Sequence, residues 1–208
     1  MLTPVAVATW IAFCIPWADP VATAALVDAG SGGEPYLVTD AAGQRFVGKT
    51  LIEAAAYVKK QPPNAELYLG LAQVPLSALR QRGYLADDAL DKCGSLETGY
   101  EVLLSAYEQA RNVEKTPWKI LAAAFSYYRA RSFAIDTPFA KTATDFVLQN
   151  KAVAPAPISH EQYRDMVREW SAAFAQRLSH RATALHANAR QYAATPAGSQ
   201  PTGGTAVR

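Results

Sequence analysis

Leu26 to Val38 reads LVDAGSGGEPYLV, and this stretch decides the fold. Upstream, Asp19-Pro20 is a helix start, with a side-chain acceptor at the cap and proline in the first turn. The helix runs through Leu26 and Val27 until Gly30, Gly32 and Gly33 stop it. Beyond the glycines, Tyr36-Leu37-Val38, a turn over Ala41 to Gln44, and Phe46-Val47 read as a small hairpin. The stretch therefore predicts a helical domain carrying one short β-hairpin near its first third.

Reading outward strengthens the helical side. Thr50 to Glu53 is a capping box that opens a helix to about Lys60, closed by Pro62-Pro63. Glu66 to Val74, ELYLGLAQV, is an apolar strand or loop leading into a short helix from Leu76 to Arg82. Leu96 to Ala110 places Val102, Leu103, Ala106 and Tyr107 at helical spacing. Thr116-Pro117 and Thr137-Pro138 start two more helices, to about Arg131 and Gln149. Ala152 to Pro157, AVAPAP, has linker composition. Ser159 with Gln162 then caps a long amphipathic helix with Tyr163, Met166, Val167, Trp170, Phe174 and Leu178 on one stripe. From Gly198 the composition is that of a disordered tail.

The whole-chain numbers fit this picture. The 208 residues, half of them hydrophobic and 18% charged, suit one globular domain with an extension. A net charge of +2 is too small to argue for nucleic acid. Three histidines and two cysteines leave few ways to build a metal site. His160-Glu161 begins like a zincin helix, but position 164 is arginine, and His180 and His186 are not an i, i+4 pair. Gly30 to Gly33 lacks the strand-turn-helix setting of a dinucleotide loop, and no Ser, His and acid cluster forms a triad. No metal or cofactor is expected.

Residues 1–18 carry no charged side chain. The apolar run Val5 to Ile15 has signal-peptide size, yet it lacks a basic n-region and an A-x-A exit. A signal-like segment and a buried first helix both fit. Cys14 and Cys93 likewise leave two readings open: a bridge formed in an oxidising compartment, or two unpaired buried thiols in a reducing one.

Three segments in order carry a family resemblance: LVDAGSGGEPYLV, then LGLAQVP at Leu69 to Pro75, then AFSYYRARS at Ala124 to Ser132 with DFV at Asp145 to Val147. Together they resemble the lysozyme-like lytic transglycosylases of type IV secretion and conjugation systems. That family shows a helix ending in E-S-G-x-N-P-Y, a hairpin, G-L-x-Q-V-N, and then Y-N-x-G. Between the last two motifs it carries a cysteine in D-P-C-x-N-L, where this chain has Asp91-Lys92-Cys93-Gly94-Ser95-Leu96. A Cys-x-Pro near the N-terminus is matched by Cys14-Ile15-Pro16. The resemblance covers about Phe13 to Asn150 and implies a Cys14–Cys93 disulfide and a place in the Gram-negative periplasm or cell envelope. With the composition on either side of it, the chain divides into an apolar N-terminus (1–12), a lysozyme-like domain (13–150), a linker (151–157), an amphipathic helix (158–195) and a tail (196–208).

The chemistry that the resemblance implies rests on one glutamate at the helix end. Held in a partly apolar cleft, it protonates the leaving oxygen of a muramoyl–glucosaminyl bond. It then takes a proton from the muramoyl 6-hydroxyl, leaving a 1,6-anhydro product. In this chain Gly30 occupies that position, and Glu34 replaces the motif's asparagine. Ser31, Gly32, Pro35 and Tyr36 match. Gln73 is kept while Pro75 replaces the next asparagine; Tyr128 is kept while Arg129 and Arg131 replace Asn and Gly. The resemblance implies Ser31, Gln73 and Tyr128 as glycan-lining residues of a lapsed enzyme that binds glycan strands or scaffolds a secretion apparatus; the amphipathic C-terminal helix either offers a partner surface or packs on the domain. The alternatives are an active transglycosylase using a substitute acid such as Glu34, and an effector or scaffold that uses the fold without glycan.

Overall fold

The structure, a computed structural model, describes residues 1–150; the expected linker, amphipathic helix and tail lie outside the described residues. The described part is mostly helical, with one small four-stranded antiparallel sheet. Helix α1 spans Pro4–Cys14 and α2 Pro20–Gly30. The strands β1 (Leu37–Asp40) and β2 (Arg45–Val47) follow, then α3 (Leu51–Lys59), β3 (Leu67–Leu69), β4 (Val74–Pro75), α4 (Leu76–Gln81) and α5 (Ala86–Leu90). Three longer helices complete it: α6 (Lys92–Val113), α7 (Pro117–Ala130) and α8 (Pro138–Gln149).

The local signals explain the starts. Asp19 Oδ1 accepts from the amides of Val21 at 3.0 Å and Ala22 at 2.7 Å, so α2 begins at Pro20. Thr50 Oγ1 accepts from Glu53 N, and Glu53 Oε2 accepts from Lys49 N, one residue before the usual capping-box partner. Thr137 Oγ1 caps α8 through Ala140 N. The hairpin is only half of the sheet, however. Strand order is β2-β1-β3-β4, with Val38 opposite Leu69 and Leu69 opposite Val74. The apolar segment before Pro75 thus supplies two strands, because its Leu67, Leu69 and Val74 need the same buried face as Val38.

The main core joins α2, the sheet and α3 to α8 around Leu26, Leu69, Leu79, Leu103, Phe125 and Tyr128. A second cluster packs Val7, Ile11, Cys14 and Ile15 against Val27, Leu71, Leu96 and Tyr100. Residues 4–14 therefore form a helix docked on the domain, running through positions 12 and 13 without a break. A disulfide joins Cys14 to Cys93, with Cα atoms 5.1 Å apart, and fastens α1 to the start of α6. Of the two readings open for the cysteines, the bridge is the one present. Among the described residues no helix is long and apolar enough to cross a membrane.

Candidate functional site

Ser31, Ser95, Gln73 and Tyr128, from motifs that carried the resemblance, meet at one loop, Gly70 to Gln73. Gly70 has φ +71°, and a Cβ there would collide with the Ala89 carbonyl, so only glycine fits. Gly70 N donates to Leu37 O at 2.8 Å, tying the loop to β1. Ser31 Oγ, at the end of α2, donates to Leu71 O at 2.6 Å. Ser95 Oγ on α6 accepts from Ala72 N at 3.0 Å, and Tyr128 Oη on α7 donates to Ala72 O at 2.9 Å. Gln73 Nε2 donates to Leu37 O at 3.1 Å and to Gly70 O at 3.0 Å. Side chains from α2, α6 and α7 and from the loop itself thus satisfy its buried backbone, as a loop away from water requires.

Gln73 holds two unusual features. Its φ of +52° is left-handed, which a non-glycine residue adopts only when its surroundings impose it. Its amide orientation follows from chemistry: Nε2 faces two carbonyl oxygens, which a flipped oxygen could not do. Oε1 is consequently buried without a hydrogen-bond partner.

Gly30 closes this arrangement from the α2 side. A Cβ built on it would stand 3.1 Å from Gln73 Cγ and 3.2 Å from Gln73 Cβ. The Gln73 side chain fills the space into which a residue at position 30 would first extend. The resemblance implies Ser31, Gln73 and Tyr128 as glycan-lining residues. In the structure all three are buried, at 1%, 1% and 0% exposure, and their donors are committed to backbone carbonyls. They build the loop's underside instead of presenting polar atoms to solvent. Burial also pushes the Tyr128 hydroxyl pKa well above the ordinary phenol value, against the opposing pull of Arg129, Arg131 and Arg82. Gly30, Ser31, Gln73 and Tyr128 together offer no group that exchanges a proton near neutral pH.

The acidic residues near position 30 lie elsewhere. Asp28 is exposed on α2. Glu34 Oε1 sits 3.2 Å from the Met1 amino group, and no hydrogen bond links its carboxylate to Gln73, Ser31 or Tyr128. Among the described residues no three of His, Cys, Asp and Glu gather as a metal site.

A second polar group flanks the loop at the end of α7. Tyr68 Oη on β3 donates to the Arg129 carbonyl at 2.7 Å, and the Arg129 guanidinium lies over the Tyr68 ring, 3.4 Å from its centroid. Burial lowers the Arg129 pKa, and its buried Nη1 has no hydrogen-bond partner among the described residues. Arg131, left-handed at φ +53°, reaches Ser77 Oγ with Nη2 at 3.4 Å, and Ser77 Oγ donates to Glu66 Oε1 at 2.9 Å. Sequence reading singled out the two arginines but not Tyr68, whose place over Arg129 depends on the β3 pairing. It also missed Ser95 and Gly99, whose added Cβ would stand 2.5 Å from Ala72 Cβ, since only the fold brings α6 against the loop.

Comparison with curated proteins gives the same relative in several Brucella species. The type IV secretion system protein virB1 of Brucella abortus biovar 1 (strain 9-941) is 32% identical over 126 residues, covering 58% of this chain and 52% of that protein. The virB1 proteins of Brucella melitensis biotype 1 and Brucella suis biovar 1 match equally. This chain is a distant homologue of Brucella virB1. It spans about half the length of those virB1 proteins. No family model matches the chain, and no solved structure matches it.

Proposed function

We propose that the chain is a peptidoglycan-directed, lysozyme-like component of a type IV secretion or conjugation apparatus that has lost glycan cleavage. The observation that carries the reading is the Gly30–Gln73 junction: the helix end where the resemblance implies a proton-donating glutamate has no side chain, and the Gln73 side chain occupies the space before it. The virB1 similarity supports the secretion-system setting, and the Cys14–Cys93 bridge supports an oxidising envelope compartment. In this reading Ser31, Gln73 and Tyr128 hold the floor under a glycan groove, and Glu34 takes no part. The division into a domain over 13–150, a linker (151–157), a helix (158–195) that meets a partner protein, and a tail (196–208) belongs to the same proposal.

Co-sedimentation of the purified full chain with sacculi tests it. The chain is expected to pellet with sacculi and to be displaced by soluble uncharged N-acetylglucosamine oligomers. A chain that stays in the supernatant contradicts a wall-binding role and favours a scaffold that uses the fold without glycan.

A further inference from the structure

The Gly70–Gln73 loop accounts for Ser31, Gln73 and Tyr128, but not for the cations beside it. Three guanidinium groups, those of Arg82, Arg129 and Arg131, all act on the buried Tyr128 hydroxyl. Among the described residues the anions nearby are Glu66, Glu97 and Glu101. Glu66 is held by Ser77 and acts on Tyr68, while Glu101 is bonded by the Tyr84 hydroxyl at 3.4 Å and lies in the field of Arg82. Among the described residues neither Arg129 nor Arg131 has a carboxylate within ion-pair distance.

Arg129 is the more unusual of the two. Its guanidinium is half-buried on an aromatic face, so it has lost much of its hydration, and among the described residues no acceptor meets its buried Nη1. A charged donor left unsatisfied in a protein interior is costly, and a native structure keeps one where it serves a further purpose. The planar fork of arginine fits a carboxylate through paired hydrogen bonds, which no neutral sugar hydroxyl supplies. Arg131 stands two residues on, held left-handed at the end of α7, with its guanidinium 5.5 Å from the Tyr127 ring.

We propose that Arg129 and Arg131, backed by Tyr68 and Ser77, form a carboxylate-binding subsite beside the loop. Its ligand class is the free carboxylates of the stem peptides carried by muramoyl residues. This rests on the reading that the domain meets peptidoglycan, and it adds that recognition extends from sugar to peptide.

Titration calorimetry of the full chain tests it with three probes: a stem tetrapeptide with free carboxylates, the same peptide fully amidated, and chitotetraose. The free-carboxylate peptide is expected to bind at least about ten-fold tighter than the amidated one, with affinity falling as salt rises. Arg129→Met, which keeps the packing on Tyr68, and Arg131→Gln, on an exposed side chain, are each expected to weaken that peptide about ten-fold. Chitotetraose binding should be unchanged in both. Equal binding of the two peptides, no binding of either, or indifference to both substitutions overturns the subsite. Should Arg129→Met fail to fold, Arg131→Gln and the amidated peptide still decide. If the subsite fails while chitotetraose and sacculi still bind, the proposed function stands. If sacculi and chitotetraose fail while the free peptide binds through the arginines, that function falls and the subsite remains.

Discussion

Replacing Tyr128 with phenylalanine separates a residue that builds the site from one that touches a ligand. The ring stays in a core it already fills, stacked on Phe139 with centroids 6.3 Å apart. Only the hydroxyl that donates to Ala72 O at 2.9 Å is removed. A water is poorly placed to replace it: a Cβ built at Gly99 would already stand 2.5 Å from Ala72 Cβ and 3.3 Å from Tyr128 Oη. The Ala72 carbonyl is then left buried without a donor, at a cost of about 1–3 kcal/mol. For a domain of this size that lowers Tm by roughly 3–10 °C. Thermal unfolding followed by far-ultraviolet circular dichroism reads the shift, and sacculus co-sedimentation below the transition reads binding. The expected outcome is a lower Tm with binding retained. Unchanged Tm together with lost binding would refute the structural role assigned to this hydroxyl.

Other expectations follow from the same contacts. Gly99→Ala would gain about 1 kcal/mol of helix propensity, yet its methyl would press on Ala72 Cβ; the net expectation, by urea titration, is destabilisation by about 1–3 kcal/mol. The Cys14–Cys93 bridge, 79 residues apart, should contribute about 4.5 kcal/mol by loop closure, so Cys14→Ser with Cys93→Ser should unfold at much lower urea. Burial raises the Glu101 pKa, with Arg82 and the Tyr84 hydroxyl opposing and Glu97 adding to the rise. The fold therefore favours neutral Glu101. That contribution is complete below the unfolded carboxylate pKa and is lost as pH climbs through the raised folded value. Glu101→Gln should accordingly be more stable than the native chain at neutral pH, with the difference closing toward about pH 4.

Much of this architecture was legible because its signals are local. Asp19-Pro20, Thr116-Pro117 and Thr137-Pro138 each sit where α2, α7 and α8 begin, since cap and proline geometry act within one turn. The first two strands were legible for the same reason. Other local features escaped because periodicity alone does not show them. α6 starts at Lys92, four residues ahead of the apolar run, because Asp91 caps it through Gly94 N. There glycine serves close packing, since a Cβ at Gly94 would collide with the Asp88 carbonyl. β3 and β4 could not be divided from a continuous apolar run, since the break is made by Gly70 and a left-handed Gln73. At the site, residue identity drew attention to Gly30, Ser31, Gln73 and Tyr128 but not to their burial. The donors of Ser31, Gln73 and Tyr128 go to the carbonyls of Leu71, Leu37, Gly70 and Ala72, partners that only the tertiary fold brings together.

In the proposed function a glycine stands where the cleaving acid would be, and the domain meets glycan without cutting it. Incubating the native full chain with sacculi and measuring released 1,6-anhydro-muropeptides by mass spectrometry tests this most directly. The account predicts release no greater than that from sacculi alone, with the protein sedimenting alongside them. Anhydro-muropeptides that accumulate with protein concentration would contradict it, and their disappearance in Glu34→Gln would name the acid responsible.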